Sequence, residues 1–357
     1  MNYFGQHLIK WYETNKRNLP WRNTRNPYKI WLSEIILQQT RVEQGLNYYL
    51  KFIEHYPAVE KLASANQDDV YKLWQGLGYY NRANNMLEAA KKIVQEFNGQ
   101  LPSDYNELQK LKGIGSYTAA AIASIAFGIS KPVVDGNVFR VLSRIYAINT
   151  PVNTSAGKKE FESLAAELMS DNEPGTFNQA LMEFGALYCK PKNPDCPNCI
   201  FSNQCMAWQN KSIAKFPVKN KKKAIRKRYL YYMVIEATNK AGSEFLLMKR
   251  GEKDIWKNLY EFPSVEFENE KEPEKVIDQF NLIYQTNLKQ FHIKNISENY
   301  IHQLTHQQIN AVFIRLIVNN IEKIEAENSI LLNSQKKITD YPVSRLTERY
   351  MQDQEII

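Results

Sequence analysis

A chain of 357 residues with 43% hydrophobic and 24% charged side chains has the composition of a folded globular protein, and its length favours two domains over one core. No apolar run approaches the roughly 20 residues that a membrane-spanning helix needs. The most apolar stretch, 119–127, is itself interrupted by Ser124. The net charge of +8 is concentrated: residues 215–228 carry eight Lys or Arg and no acid, leaving 38 basic and 38 acidic side chains elsewhere. Nothing at the N-terminus resembles a secretory signal, so a reducing, cytoplasmic compartment is expected.

Helical periodicity governs the first part of the chain. Leu32, Ile35, Ile36, Gln39, Val42 and Leu46 recur on one face, and Asn26-Pro27 supplies a cap and a first-turn proline. Glu34 is the sole charged residue from Ile30 to Thr40. Among Trp31, Leu32, Ile35, Ile36 and Leu37 its carboxylate is expected to lose solvent, which raises its pKa and suits it to delivering a proton. The alternative is a glutamate facing water beside Ser33, Gln38 and Arg41.

Two Gly-x-Gly turns follow, LWQGLG at 73–78 and LQKLKGIG at 108–115, each closing a helix. Gly113 and Gly115 let the chain reverse tightly, and the amides opening the next helix can face a phosphate. An ordinary helix–turn–helix connection explains the same glycines. Residues 119–127 and 138–146 read as further helices. Between them Asp135 precedes Gly136-Asn137 as a cap whose carboxylate the positive helix end should keep ionised.

All four cysteines lie within one short loop, Cys189, Cys196, Cys199 and Cys205, spaced C-x6-C-x2-C-x5-C. Such a loop is a metal centre rather than a disulfide pair in a reducing compartment. Zinc and a [4Fe–4S] cluster are both open on spacing, although only Cys196 and Cys199 form the short couple that structural zinc sites use twice.

The basic run, opened by Phe216-Pro217, reads as an exposed linker that spaces two domains or lies along phosphates. Beyond it, 229–238, 244–249 and 310–318 are β-rich, with helical stretches near 272–284 and 343–352. The expectation is an all-α domain over 1–212, a basic linker over 213–228, and a smaller α/β domain over 229–357.

Seven blocks stand in one order: LPWR (19–22), SEIILQQT (33–40), QGLGYYNRA (75–83), LKGIGSYTA (111–119), VDGNVFRVLSR (134–144), FNQALMEFGAL (177–187) and the Cys loop. Together they resemble the helix-hairpin-helix DNA glycosylases, most closely the adenine DNA glycosylases of the MutY family. The resemblance covers essentially the whole first domain and, more weakly, a Nudix-like domain after the linker.

The resemblance implies excision of adenine paired with 8-oxoguanine or guanine, from an adenine flipped out of the duplex. It implies Glu34 as the catalytic acid at adenine N7. Asp135 becomes the carboxylate that stabilises the oxocarbenium-like sugar, and Asn137 positions the pair. Tyr117 occupies the position where bifunctional relatives carry a Schiff-base lysine, so a monofunctional enzyme is implied, unlike the endonuclease III type.

Trp21, Arg22, Leu37, Val42 and Gln179 match the adenine pocket, and Gln39 and Tyr79 match residues that enter the helix around the lesion. Gly113 and Gly115 match the backbone-binding hairpin. The cysteines match [4Fe–4S] ligands, which favours iron–sulfur over zinc. A catalytic Nudix box is missing: no glycine follows Gly251, and no arginine stands between Arg250 and Arg315. Leu304-Thr305-His306 stands where many relatives carry Phe-Ser-His, so Thr305 and His306 are implied to read the oxidised guanine. The expected partner is mispaired double-stranded DNA, bound by a monomer acting at the bacterial nucleoid. A DNA-binding iron–sulfur scaffold without chemistry would need neither Glu34 nor Asp135.

Overall fold

Apolar side chains at helical spacing build the N-terminal half from helices, and β-branched and aromatic runs build the C-terminal part from strands. The computed structural model describes residues 3–169, 172–220, 225–239, 242–251, 254–284, 291–304, 306–318, 329–332 and 338–357. In chain order the helices are α1 (Tyr3–Asn15), α2 (Pro27–Leu37), α3 (Val42–His55), α4 (Val59–Ala63), α5 (Gln67–Trp74), α6 (Asn81–Phe97) and α7 (Tyr105–Gln109). They continue as α8 (Ser116–Phe127), α9 (Gly136–Ile145), α10 (Ser155–Leu168), α11 (Pro174–Leu187) and α12 (Met206–Gln209), with α13 (Pro273–Ile283) and α14 (Arg345–Asp353) in the C-terminal part.

The face expected to run unbroken from Leu32 to Leu46 is instead split between α2 and α3. Asn26 caps α2 by accepting from the Lys29 amide at 3.1 Å, with Pro27 in the first turn as expected. The helix ends at Leu37 because Gln39 takes a left-handed conformation, φ 58°, which no α-helix can continue through.

The chain forms two compact units, and the division is not the single cut expected at the linker. One unit comprises Met1–Ser64 and Asn85–Lys221; the other comprises Ala65–Asn84 and Lys222–Ile357. The first is helical. Its main core joins Phe4, Leu8 and Trp11 of α1 to Val138, Val141 and Leu142 of α9, Phe161 of α10, and Phe177, Leu181 and Phe184 of α11. Both ends of the expected linker are ordered. Phe216 is buried in that core, the Val152 amide donates to the Val218 carbonyl, and Asn220 bonds Asn153. At the far end, Arg228 is 5% exposed and held by Asp254 and Glu266, so this arginine is no phosphate-facing linker residue.

The second unit is built on a mixed sheet of β1 (Arg226–Asn239), β2 (Gly242–Lys249), β3 (Tyr260–Glu261), β4 (Ser264–Phe267), β5 (Phe291–Ile296), β6 (Tyr300–Gln303), β7 (Gln307–Val318) and β8 (Ser329–Leu332). Its backbone order is β3-β2-β1-β7-β5, with β1 and β7 parallel from Arg226↔Gln307 to Ala237↔Val318. Alternation along β1 sends Leu230, Tyr232 and Val234 to a core with Leu346, Tyr350 and Met351 of α14. Tyr231, Met233 and Ile235 enter a second core with Val276, Ile277 and Phe280 of α13. Burial on both faces is why β1 reads as one apolar run.

Candidate active site

The helical unit contains a cleft of about 830 Å³, open mouth included. Its walls bring together Trp21, Arg22, Glu34, Leu37, Val42, Tyr117, Asp135, Asn137 and Gln179, nine residues separated by up to 158 positions in sequence.

Glu34 comes from the middle of α2, packed on α3 and α8. It is 8% exposed, and burial pushes its carboxyl up to about 7, while the hydroxyl of Tyr117, hydrogen-bonded to it, pulls the other way. The expectation of a desolvated acid holds, and the water-facing alternative falls. Tyr117 stands in the first turn of α8, immediately after the hairpin; its own hydroxyl is pushed well above the ordinary phenol range by burial and the two carboxylates. The hydroxyl also reaches the Met182 sulfur at 3.5 Å.

Asp135 caps α9. One carboxylate oxygen accepts from the amides of Asn137 at 2.8 Å and Val138 at 2.7 Å, and the other from the Asn137 side chain at 2.7 Å. The helix end was expected to keep this acid ionised. Burial outweighs these hydrogen bonds and Arg140, and the net displacement of its pKa is upward. The carboxylate is nonetheless fixed in place, because Arg140 holds the Asn137 oxygen at 2.8 Å and itself bonds the carbonyls of Gly185 at 2.7 Å and Cys189 at 2.8 Å.

Sequence reasoning missed three contributors. Glu183 is four residues beyond Gln179, hence on the same face of α11, a spacing that was legible. It is 1% exposed in its side chain and receives bidentate contacts from both Arg17 and Arg22. Arg17 sits in a polar stretch that carries no motif. Gly185 is the third: a Cβ there would lie 2.6 Å from the Asn137 Cβ and 3.0 Å from its carbonyl oxygen, so only glycine lets α11 approach this close. Gln179 accepts from the Tyr12 hydroxyl at 2.7 Å.

The remaining expected residues lie outside the cleft. Gly113, at φ 79°, and Gly115 make the turn between α7 and α8, anchored by buried Ile114. Lys112 is paired with Glu88. Gln39 is exposed at φ 58°, and Tyr79 is 44% exposed at φ 50°. Such backbone strain in non-glycine residues concentrates at functional positions. His306 is exposed, and its carbonyl accepts from the Arg226 amide at 3.3 Å. Thr305 lies outside the described residues.

The four cysteine thiols line one cavity with Phe184, Tyr188 and Phe201. Arg144 lies 3.4 Å from the Cys189 sulfur, and the Phe201 amide donates to the Cys199 sulfur at 3.4 Å. Among the described residues no three potential ligands close around a point as one metal ion requires. Four thiols lining one cavity are a donor set that a [4Fe–4S] cluster or a zinc ion takes.

Residues 32–169 match the family of HhH-GPD superfamily base excision DNA repair proteins, and 231–353 match a NUDIX domain. The chain is 36% identical to an adenine DNA glycosylase of Buchnera aphidicola (subspecies Baizongia pistaciae), over 94% of its length and 90% of the relative's. It is 34% identical to the human adenine DNA glycosylase over 85% of its length and 65% of that protein. Among solved structures, a thermostable thymine-DNA glycosylase superposes with a TM-score of 0.54 at 30% identity, over 58% of this chain and 95% of that one. A non-covalent endonuclease III–DNA complex shares the fold, with a TM-score of 0.51 at 23% identity. Among the described residues no helix is long and apolar enough to cross a membrane.

Proposed function

This chain belongs to the adenine DNA glycosylases of the HhH-GPD superfamily, and we propose that it removes adenine from pairs with 8-oxoguanine or guanine by a monofunctional, proton-driven mechanism. It is a DNA glycosylase with a helical catalytic domain and a C-terminal Nudix-like domain. The observation that carries the mechanism is Glu34: a carboxyl with a pKa of about 7, buried in the cleft with the fixed Asp135 beside it.

An extruded adenine enters between Trp21, Leu37 and Val42, where aliphatic and aromatic walls suit a purine. Glu34, half protonated near neutral pH, protonates the base and turns it into a leaving group. Asp135 stabilises the cationic sugar as the glycosidic bond lengthens, and water completes the hydrolysis. Tyr117 hydrogen-bonds Glu34 and offers no amine, so the abasic strand stays intact. Gln39 and Tyr79 enter the duplex around the extruded base, and the hairpin amides at Gly113 and Gly115 hold the strand. Thr305 and His306 read the opposite base. Cys189, Cys196, Cys199 and Cys205 would hold a [4Fe–4S] cluster that orders their loop. The protein works as a monomer on bacterial chromosomal DNA in the cytoplasm.

Single-turnover assays on duplexes with adenine opposite 8-oxoguanine, guanine, cytosine or thymine test this reading. Fast release is expected from the first two only, with no borohydride-trapped adduct. Release from none of the four by protein with its iron centre intact would overturn the assignment, and trapping at the rate of base loss would overturn the monofunctional mechanism. A second expected result concerns Gly185→Ala. The added methyl has nowhere to go but against Asn137, so overpacking costs about 1–3 kcal/mol of stability. Excision should slow at least about tenfold at a temperature where the variant is folded, because Asn137 carries Asp135 with it. Unchanged single-turnover rates would show that Asn137 does not set the acid's position.

A further inference from the structure

The segment Ala65–Asn84 interrupts the helical unit in sequence yet belongs to the compact unit formed by the C-terminal residues. Its attachments are specific. On α5, one Asp68 oxygen accepts from Lys249 Nζ at 2.9 Å, at the end of β2, and the other from the Tyr260 hydroxyl at 3.2 Å, on β3. Gln75 donates to Glu348 of α14 at 2.7 Å, and the Tyr80 hydroxyl donates to the Val343 carbonyl at 3.2 Å. Lys72 reaches the Thr339 carbonyl. Trp74 and Tyr71 are fully buried.

The short loop that these contacts hold is itself stiffened. The Trp74 indole donates to the Gly78 carbonyl at 3.0 Å, and Arg82 reaches the carbonyls of Leu77 and Gly78 while stacking its guanidinium 4.9 Å from the Trp74 ring. Gly76 and Gly78 take positive φ, and Tyr79 follows them at φ 50° with 44% of its surface exposed. A ring held outward on a stiff loop against its backbone preference is poised to be inserted into something.

We propose that the C-terminal domain carries the Tyr79 wedge, with Asp68, Gln75 and Tyr80 as positioning residues, so that this domain takes part in opening the base pair as well as in reading the base opposite adenine. The inference rests on the assignment of Tyr79 to duplex entry and goes beyond it by naming what holds the residue in place. Gln39, the other inserting residue, and every residue lining the catalytic cleft belong to the helical unit. Opening is therefore divided between the two units, and weakening the Asp68 and Gln75 contacts releases only the Tyr79 half.

The test is a double-mutant cycle in the full-length protein, on a duplex carrying 2-aminopurine opposite 8-oxoguanine. Fluorescence reports unstacking of the target base, and single-turnover release is followed on the matching adenine duplex. Asp68→Ala with Gln75→Ala is expected to lower the unstacking signal and slow release about tenfold, with less than about a twofold further loss when combined with Tyr79→Ala. Asp68→Glu should recover part of the signal. Should the double variant fold poorly, Lys249→Met removes one attachment from the opposite side, and its loss should likewise vanish in the Tyr79→Ala background. Losses that multiply with that of Tyr79→Ala overturn the mounting and leave the wedge assignment standing. A Tyr79→Ala protein with full unstacking would remove the wedge assignment and the mounting with it.

Discussion

Replacing Glu34 by glutamine abolishes base release while mispaired DNA is still bound. A positioned general acid contributes about 10²- to 10⁴-fold, and glutamine keeps the shape and the hydrogen bond to Tyr117 but has no proton to give. In the parent enzyme the protonated form drives the reaction, so the single-turnover rate should fall as pH rises through about 7, and the variant should lose that inflection. Stability should fall in the same direction, for a different reason. The folded protein holds the Glu34 proton between the ordinary value of 4.5 and about 7 whereas the unfolded chain has lost it, so stability falls with pH across that window. Glu34→Gln removes the penalty. Its unfolding free energy should equal the parent's near pH 4 and exceed it at pH 8, by on the order of 3 kcal/mol. Equal release rates for parent and variant would end the acid assignment; a stability difference independent of pH would contradict the burial of a carboxyl at this position.

Glu183→Ala is the other large effect, on the fold before the chemistry. Burial alone would raise the Glu183 pKa, but hydrogen bonds from Arg22 and then Arg17 reverse that and hold it at about 2. The carboxylate accepts from the Arg17 amide at 3.0 Å and from guanidinium nitrogens of both arginines at 2.6–2.9 Å. Deleting it leaves two cations facing each other, with Arg22 11% exposed; breaking such a buried arrangement costs about 3–5 kcal/mol. The folded pKa is depressed, so this stabilisation is present above the ordinary carboxyl value and is lost as pH falls through about 2. Urea denaturation at pH 7 should register the full loss. Because Arg22 lines the cleft, a residual folded fraction should also bind mispaired DNA without efficient release. A loss under about 1 kcal/mol would mean that the two arginines find other partners.

The parts of the site legible in sequence were those where a residue conflicts with its neighbours. A lone carboxylate in the Trp31–Leu37 stretch implies desolvation, and four cysteines in one loop imply a shared ligand. The Asp-Gly-Asn cap could be read because capping depends on local context, whereas Tyr117 was singled out by the family resemblance alone. What escaped depends on distance. Arg17 meets Glu183 across 166 positions, Glu183 meets Arg22 across 161 and Gly185 meets Asn137 across 48, through the packing of α11 on α1 and α9, and no periodicity encodes that meeting. The fold behaved alike. The strands buried on both faces, β1, β2 and β7, announced themselves as apolar runs. The two-residue β3 and four-residue β4, β6 and β8 owe their pairing to neighbours and gave no signal of their own. The break at Gln39 was invisible because glutamine is a good helix former; tertiary packing overrides its propensity there.

Asp68 and Gln75 leave the ribosome well before Val343 and Glu348. The helical core can collapse while translation continues, but the stretch around Tyr79 lacks its Val343 and Glu348 contacts until α14 emerges, on the order of tens of seconds later. A polypeptide cut short before Val343 would thus carry every residue of the cleft and lack the Val343 and Glu348 seats of the Tyr79 loop.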